Sequence, residues 1–260
     1  MNIINRIDLP TYLNKQDFFS TVDCVSKRFD IVDVKISNGM SIVLICNNRL
    51  SNTLTVFQYF ISKATLSRIK NLFDIINSSK HIRLPDSRYI FKYKATDFLV
   101  PYISSSNNLI NWKYVLPLND IPTESLKNII TDNIQKLVWD IGLALYSLYA
   151  LGISHRDARI DNIGLDLVRK CFVLFDFDGS VTDFSSQYSD DIEDFVNSID
   201  YTVNQLSLSL PYNYKKIWNM PYSFCLNVNM VHDYVLHNQD KNVSYIMALD
   251  YFDALPLKYE

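Results

Sequence analysis

Glycine is scarce in this sequence, with 5 residues in a chain of 260. Because Gly39 is the only glycine before residue 142, the first half of the chain has little capacity for a glycine-rich loop around phosphates. The cysteines form neither a C-x-x-C pair nor a disulfide-like pattern; they are Cys24, Cys46, Cys171 and Cys225. Reduced core thiols are therefore expected, which favours the cytoplasm or the nucleus.

The sequence also lacks a large excess of either charge and a long hydrophobic run. Lys and Arg number 25 and Asp and Glu 28, which argues against a protein that binds nucleic acid through bulk charge. No stretch approaches the roughly 18 apolar residues of a membrane span, and the N-terminus lacks the apolar core of a secretory signal. The 48% of hydrophobic residues suffice for one large domain or two small lobes.

The first hundred residues mainly predict strands. Residues 29–36 alternate between apolar and polar side chains, and Asn38-Gly39 separates them from the apolar run 41–46, which is a strong hairpin signal. Residues 65–76 change to a helical period, with five apolar side chains on one face. Further strand candidates are residues 54–61, 88–94 and 97–103.

The rest of the chain predicts helices. A polar linker at residues 104–108 precedes a long helix, whose apolar stripe runs from Ile134 to Leu148 and for which Gly152 is a stop signal. A short buried strand is expected at 171–175, and further helices at 191–206, 224–236 and 242–254. This order predicts an α+β fold with a small β-rich lobe, residues 1–103, and a larger helical lobe, residues 104–260.

Two short motifs after the long helix carry chemically useful side chains. Residues 155–162 read His-Arg-Asp-Ala-Arg-Ile-Asp-Asn, and residues 174–179 read Leu-Phe-Asp-Phe-Asp-Gly. The first string resembles the H-R-D-x-x-x-x-N catalytic loop of protein kinases, and the second resembles their D-F-G motif. The resemblance implies a two-lobed protein-kinase-like fold and a phosphotransferase that uses ATP and Mg²⁺.

The resemblance also implies roles for individual residues. Asp157 would face the incoming hydroxyl, and Asn162 and Asp176 would supply oxygen ligands to Mg²⁺. Arg156 would help to hold the loop together with the preceding histidine. Arg159 stands where Ser/Thr kinases usually have lysine, which leaves the type of acceptor open.

The first lobe departs from the kinase pattern. No G-x-G-x-x-G loop is present, and Gln58 stands in the strand where the phosphate-binding lysine is expected. Lys63 is an alternative cation, although such a lysine is more often a surface residue. Val100 and Tyr102, on the expected hinge strand 98–103, would meet adenine through their backbone.

The segment after the D-F-D-G motif gives two further signals. Residues 189–195 resemble the start of the central helix in some kinases, where an aspartate ties the helix to the catalytic loop; Asp191 is the candidate here. An acidic helix start favoured by the helix dipole is the alternative. Asp176 and Asp191 are 191 − 176 = 15 residues apart, a short segment that is typical of small-molecule kinases.

Three functions stay open at this point. The first is transfer of the γ-phosphate of ATP to a protein hydroxyl, which the intact Asp157, Asn162 and Asp176 favour. The second is a pseudokinase that acts as a binding or scaffolding module with a protein partner, which the missing strand lysine favours. The third is a small-molecule kinase, which the short segment after Asp176 favours.

Overall fold

The computed structural model describes residues 8–37, 41–78, 108–150, 152–167, 170–182 and 188–210. These residues form an α+β structure, as the order of strand and helix patterns predicts, and they divide into two compact units. The first unit contains residues 8–77 and 108–114, and the second contains the described residues from 115 onwards. Within the described ranges, no helix combines the length and the apolar character that crossing a membrane requires.

Helix α1, Lys15–Ser26, begins the first unit. It starts at Asn14, whose Oδ1 accepts the backbone N–H of Asp17 at 3.2 Å and so caps the first turn. Its buried side chains recur at the spacing of one helical face; they are Phe18, Thr21, Val22 and Val25. This helix is absent from the expected order of elements, although its cap and its apolar spacing indicate it.

Four antiparallel strands form the sheet of the first unit, in the order β1-β2-β3-β4. They are β1 Phe29–Ser37, β2 Ser41–Asn48, β3 Leu54–Phe60 and β4 Leu109–Lys113. The pairing of β1 with β2 confirms the expected hairpin, with a bulge between Ile31 and Asp33. Strand β4 pairs with β3, which places residues 109–113 in this sheet.

The two faces of this sheet pack against different helices. On one face, Phe18 of α1 lies edge-on to Tyr59 of β3, with 5.3 Å between the ring centroids. On the other face, Phe73 of helix α2, Lys63–Ser78, lies 5.6 Å from Trp112 of β4. The apolar stripe expected for α2 is buried and comprises Leu66, Ile69, Leu72, Phe73 and Ile76.

Among its described residues, the second unit contains a three-stranded sheet and two α-helices. The strands are β5 Leu116–Pro117, β6 Ile163–Asp166 and β7 Cys171–Leu174, in the order β5-β6-β7, and the helices are α3 Thr123–Ala150 and α4 Tyr188–Gln205. Strand β7 and helix α4 confirm the elements expected near residues 171–175 and 191–206. Gly152 follows α3 with φ of 70°, as its role as a helix stop predicts.

Several expected features lie outside the described residues. The strand candidates 88–94 and 97–103, with Val100 and Tyr102, are among them, as are the helix candidates 224–236 and 242–254. Of the expected linker 104–108, only Asn108 is described, and it belongs with β4 to the first unit.

A buried ion pair connects helix α3 to strand β7. Lys136 Nζ lies 3.2 Å from Asp140 Oδ1, and the two side chains are 5% and 0% exposed. Asp140 Oδ2 also accepts the backbone N–H of Phe172 at 2.9 Å. Each charge therefore depends on its partner, since an unpaired charge in the low-dielectric interior carries a large desolvation penalty.

Removal of one partner of this pair should destabilise the second unit. In Lys136→Met the side chain keeps its volume but leaves the Asp140 carboxylate without its cation. We expect the free energy of unfolding to fall by about 3–5 kcal/mol, measured by urea denaturation.

The matched control lies on the same helix. Lys127 and Glu124 form an ion pair of 2.8 Å, with side chains that are 34% and 83% exposed. Because water screens this pair, Lys127→Met should cost less than about 1 kcal/mol. Equal effects of the two substitutions would show that burial does not determine the contribution of the Lys136–Asp140 pair.

Candidate active site

The loop that carries the H-R-D-x-x-x-x-N motif lies in the second unit, between helix α3 and strand β6. Ser154 forms an isolated antiparallel bridge with Val181, with both N–H···O distances at 3.0 Å. The loop then closes through a 3₁₀ turn at Ile160–Asn162, which leads directly into β6. Both ends of the motif are thus held by backbone hydrogen bonds.

The carboxylate of Asp191 anchors this loop to helix α4. Asp191 Oδ2 accepts the backbone N–H of His155 at 2.7 Å and the hydroxyl of Ser154 at 3.0 Å. Its Oδ1 accepts the backbone N–H of Arg156 at 2.6 Å. Burial raises the pKa of Asp191, and these donors oppose that shift because they stabilise the ionised form. The expectation that Asp191 ties its helix to the loop backbone is confirmed.

Arg156 lies in a left-handed backbone conformation, with φ of 66°. A non-glycine residue in this region is strained by about 1–3 kcal/mol and persists only where the surroundings hold it. Asp191 provides that restraint through the Arg156 N–H, while the Arg156 side chain is exposed. The backbone of Arg156 therefore shapes the loop, which agrees with the positioning role that the resemblance implies.

His155 links the loop to the D-F-D segment. Its Nε2 lies 3.1 Å from the carbonyl oxygen of Phe175, and its ring packs 4.8 Å from that of Phe177. A second bond runs from the N–H of Phe175 to the carbonyl of Asn162 at 2.9 Å. Burial lowers the pKa of His155 to about 4, so the ring is neutral at pH 7 and can donate to Phe175 from Nε2.

Asp157 is held by two side chains of its own loop. Arg159 donates from Nε to Asp157 Oδ1 at 2.5 Å and from Nη2 to Oδ2 at 3.3 Å. Asn162 Nδ2 donates to Asp157 Oδ2 at 2.8 Å and to the Asp157 carbonyl at 2.9 Å. Partial burial raises the pKa of Asp157, but the bonds from Arg159 and Asn162 outweigh it and hold the pKa below its ordinary value. The carboxylate is thus ionised, oriented and 36% exposed.

Asp176 approaches the same loop from the end of β7. It has a left-handed backbone, with φ of 64°, immediately before the 3₁₀ turn Phe177–Gly179. Burial raises the pKa of Asp176, the N–H of Asp178 lowers it, and the negative charge of Asp157 raises it again. The hydrogen bonds of the preceding Phe175 to His155 and Asn162 place Asp176 next to the loop.

The residues present fit a Mg²⁺ site completed by water and phosphate. Asn162 uses its Nδ2 on Asp157, which leaves Oδ1 as a neutral oxygen ligand, and Asp176 is a half-buried carboxylate whose pKa is raised by desolvation. In the part of the chain that the structure describes, no group of three or more His, Cys, Asp or Glu side chains is placed to hold a metal ion. A cation held by Asn162 and Asp176 alone would keep several non-protein ligands, as Mg²⁺ commonly does.

Gln58, the candidate in the first unit for the lysine position, is buried in a hydrogen-bonded bridge across the sheet. Its Nε2 donates to Ser41 Oγ of β2 at 2.9 Å, and its Oε1 accepts the indole N–H of Trp112 of β4 at 2.7 Å. Both polar atoms of the amide are therefore hydrogen-bonded to residues of the sheet. This arrangement accounts for a glutamine at this position without any ligand.

Lys63, the alternative cation, is the first residue of helix α2. It lines a pocket together with Tyr59, the neighbour of Gln58 along β3. Gln58 is not among the residues that line this pocket, and its amide is bonded to Ser41 and Trp112 instead. The structure does not bring these two candidates together.

Two further serines support the loop and were not expected from the sequence. Ser198 Oγ accepts the N–H of Ile160 at 2.8 Å, and Ser180 Oγ donates to the carbonyl of His155 at 3.2 Å. Ser198 follows Asp191 by two helical turns, so both lie on one face of α4. That spacing is the only sequence signal for Ser198, and it becomes meaningful only once Asp191 is assigned to the loop.

The second unit thus brings together Asp157, Arg159, Asn162 and Asp176, with Arg156 shaping the loop backbone. Comparison of the sequence with protein-family models and with curated proteins finds no match. The function is therefore inferred from the chemistry of these side chains.

His155 predicts a specific pH dependence of stability. The unfolded residue has the ordinary pKa of 6.5, whereas the folded residue has a pKa of about 4, so only the unfolded chain binds the proton between these values. The free energy of unfolding has its full value above pH 6.5. It decreases as the pH falls towards 4, by at most about 3 kcal/mol. The measurement is urea denaturation at pH 7, 6 and 5.

The control is His155→Gln, which keeps an amide donor for the Phe175 carbonyl but does not titrate. Its unfolding free energy should fall less with pH than that of the natural chain. The raised pKa values of Asp176 and Asp191 act in the opposite direction, but they are common to both proteins and cancel in the comparison. Parallel pH curves would contradict the assignment.

Proposed function

We propose that this chain is a phosphotransferase of the protein-kinase-like fold that moves the γ-phosphate of ATP to a hydroxyl group of a protein, with Mg²⁺ as cofactor. The observation that carries the proposal is the convergence of Asp157, Asn162 and Asp176 on one loop. A positioned carboxylate beside two oxygen ligands is what phosphoryl transfer requires, because the reaction depends on orientation and charge neutralisation.

Asp157 orients the acceptor in this proposal. Its ionised and partly exposed carboxylate accepts the hydrogen bond of the incoming hydroxyl and turns that oxygen towards the phosphate. Arg159 and Asn162 hold the carboxylate in one orientation before the substrate arrives. Preorganisation of this kind contributes to the rate because no reorientation is needed during the reaction.

Asn162 and Asp176 would hold the cation. Mg²⁺ bound there would neutralise the negative charge of the phosphates. The half-buried Asp176 carboxylate favours such binding, because desolvation raises its pKa and a cation would stabilise the ionised form. The bonds of His155 and Asn162 to Phe175 keep Asp176 next to the loop.

The element order of the first unit also supports the proposal. A hairpin of β1 and β2 precedes strand β3, then helix α2, and β4 pairs with β3 at the edge of the sheet. This is a small β-rich unit ahead of the unit with the catalytic motifs, as the resemblance to protein kinases implies.

A second candidate function, a pseudokinase that binds a partner without transferring phosphate, is favoured by the environment of Gln58. Its amide is neutral and engaged with Ser41 and Trp112, so β3 contributes no cation at this position. A charged hydrogen bond to phosphate is roughly twice as strong as a neutral one, so loss of the lysine would weaken nucleotide binding.

Asp157→Asn should separate transfer from nucleotide binding. Because this carboxylate acts on the acceptor, we expect transfer from ATP to fall by about 10²-fold or more while ATP affinity is nearly unchanged. The measurement pairs a radiolabelled phosphate-transfer assay with calorimetric titration of ATP. Asp161→Asn, an exposed acid in the same loop, is the control and should retain transfer.

If Asp157→Asn transfers phosphate as fast as the natural chain, Asp157 is not the orienting carboxylate. If the natural chain transfers phosphate neither to itself nor to generic protein substrates, the pseudokinase function is supported instead.

Asp176→Asn should remove the effect of Mg²⁺ on nucleotide binding. A ligand that binds only the folded state raises the melting temperature, so ATP with Mg²⁺ should raise it more than ATP alone in the natural chain. The variant should show equal shifts with and without Mg²⁺. Glu193→Gln, an exposed acid of α4, is the control; a Mg²⁺-dependent shift that persists in Asp176→Asn would remove Asp176 from the metal site.

A further inference from the structure

A pocket of about 460 Å³ lies in the first unit, on the face of the sheet that carries Tyr59. Its polar wall comes from α1 and the segment before it, from β3, from the start of α2 and from the residue before β4; it comprises Tyr12, Asn14, Asp17, Tyr59, Lys63 and Asn108. A volume of this size is within the range of sites for small molecules. The pocket lies on the opposite face of β3 from Gln58, and none of the candidate phosphotransfer residues of the second unit lines it.

Asp17 presents a fixed carboxylate to this pocket. The hydroxyl of Tyr59 donates to Asp17 Oδ2 at 2.5 Å, and burial, with this bond, raises the pKa of Tyr59 to about 12, so the phenol keeps its proton. Asn14 Oδ1 accepts the backbone N–H of Asp17 and so restrains the backbone of this residue. Asp17 Oδ1 bonds no other described residue, so one carboxylate oxygen remains available to a ligand.

Lys63 places the opposite charge at the same pocket. It forms no ion pair with any residue that the structure describes, Asp17 included, although both line the one cavity. Asn108, which also lines the pocket, has a buried side-chain Oδ1 without a partner among the described residues. The pocket therefore combines an anion and a cation that form no ion pair with each other.

We propose that this pocket binds a small zwitterion of the α-amino-acid class, with the ammonium group at Asp17 and the carboxylate at Lys63. A ligand with one charge would pair with only one of these two groups, although both line the same pocket. A zwitterion satisfies both, and its hydrogen bonds to charged partners are the strong ones.

Matched probes test this directly on the full chain by isothermal titration calorimetry. L-Leucine is compared with isopentylamine, which lacks the carboxylate, and with 4-methylpentanoate, which lacks the ammonium group. L-Phenylalanine is compared with 2-phenylethylamine and 3-phenylpropanoate in the same way. We expect at least one amino acid to bind, and each of its single-charge analogues to bind about tenfold more weakly or worse.

Two substitutions assign the two ends of the ligand. Lys63→Gln, at an exposed position, should weaken the binding of the amino acid by about tenfold or more and leave the binding of the amine analogue unchanged. Asp17→Asn, which keeps an acceptor for Tyr59, should weaken the binding of the amino acid to a similar extent and leave the binding of the carboxylate analogue unchanged. The controls are Lys70→Gln on α2 and Asp23→Asn on α1, which lie outside the pocket lining.

Absence of binding by both amino acids would overturn the proposal. So would equal binding of an amino acid and its single-charge analogues, or binding that neither substitution changes. Because Lys63 is exposed, Lys63→Gln should fold, and it decides the question even if Asp17→Asn does not. If all of these variants retain phosphotransfer, the two sites act independently.

Discussion

The carboxylate of Asp191 accepts hydrogen bonds from residues 154, 155 and 156, and the geometry of the candidate active site depends on this contact. The backbone N–H groups of His155 and Arg156 belong to no helix or strand ladder, and Arg156 has a strained left-handed backbone. A buried acceptor is therefore needed to compensate them. Hydrogen bonds to a charged group contribute about 1.5–3 kcal/mol each, but part of this is offset by the cost of burying the carboxylate.

The anchor links parts of the chain that are distant in sequence. Asp191 is separated from His155 by 36 residues, so the backbone conformation of the loop depends on a contact with helix α4. Ser198, two turns further along α4, adds a bond to Ile160 and fixes the other end of the loop. Asp157 and Asn162 then lie between two anchored ends, and their mutual hydrogen bond forms within a loop that is already positioned.

Local patterns explain which parts of the fold could be predicted from the sequence. The β1–β2 hairpin follows from alternation around Asn38-Gly39, and α2 follows from its apolar period, because both signals depend on near neighbours. Strand β4 could not be assigned in this way, since its five residues become a strand only through pairing with β3, which is about fifty residues earlier. Helix α1 is different, because its Asn14 cap and apolar spacing are local and give a sufficient signal.

The site shows the same division. Asp157, Asn162 and Asp176 are candidates because two short motifs resemble those of protein kinases, and the structure shows that Asn162 bonds Asp157. The surroundings of Gln58 could not be predicted, because its partners Ser41 and Trp112 come from two other strands. A single-sequence argument identifies the position of a side chain along the chain, but not which face of a sheet supplies its hydrogen bonds.

The position of β4 at the edge of the first sheet has a practical consequence for producing this unit alone. A fragment ending at residue 103 would lack β4 and would expose the backbone of β3 from Thr55 to Tyr59 as an unpaired edge. Such an edge favours aggregation because it can pair with a strand of another chain. It would also leave the buried amide of Gln58 without the indole of Trp112. A soluble fragment of the first unit therefore has to extend through Lys113, beyond the polar segment that the sequence marks as a natural place to cut.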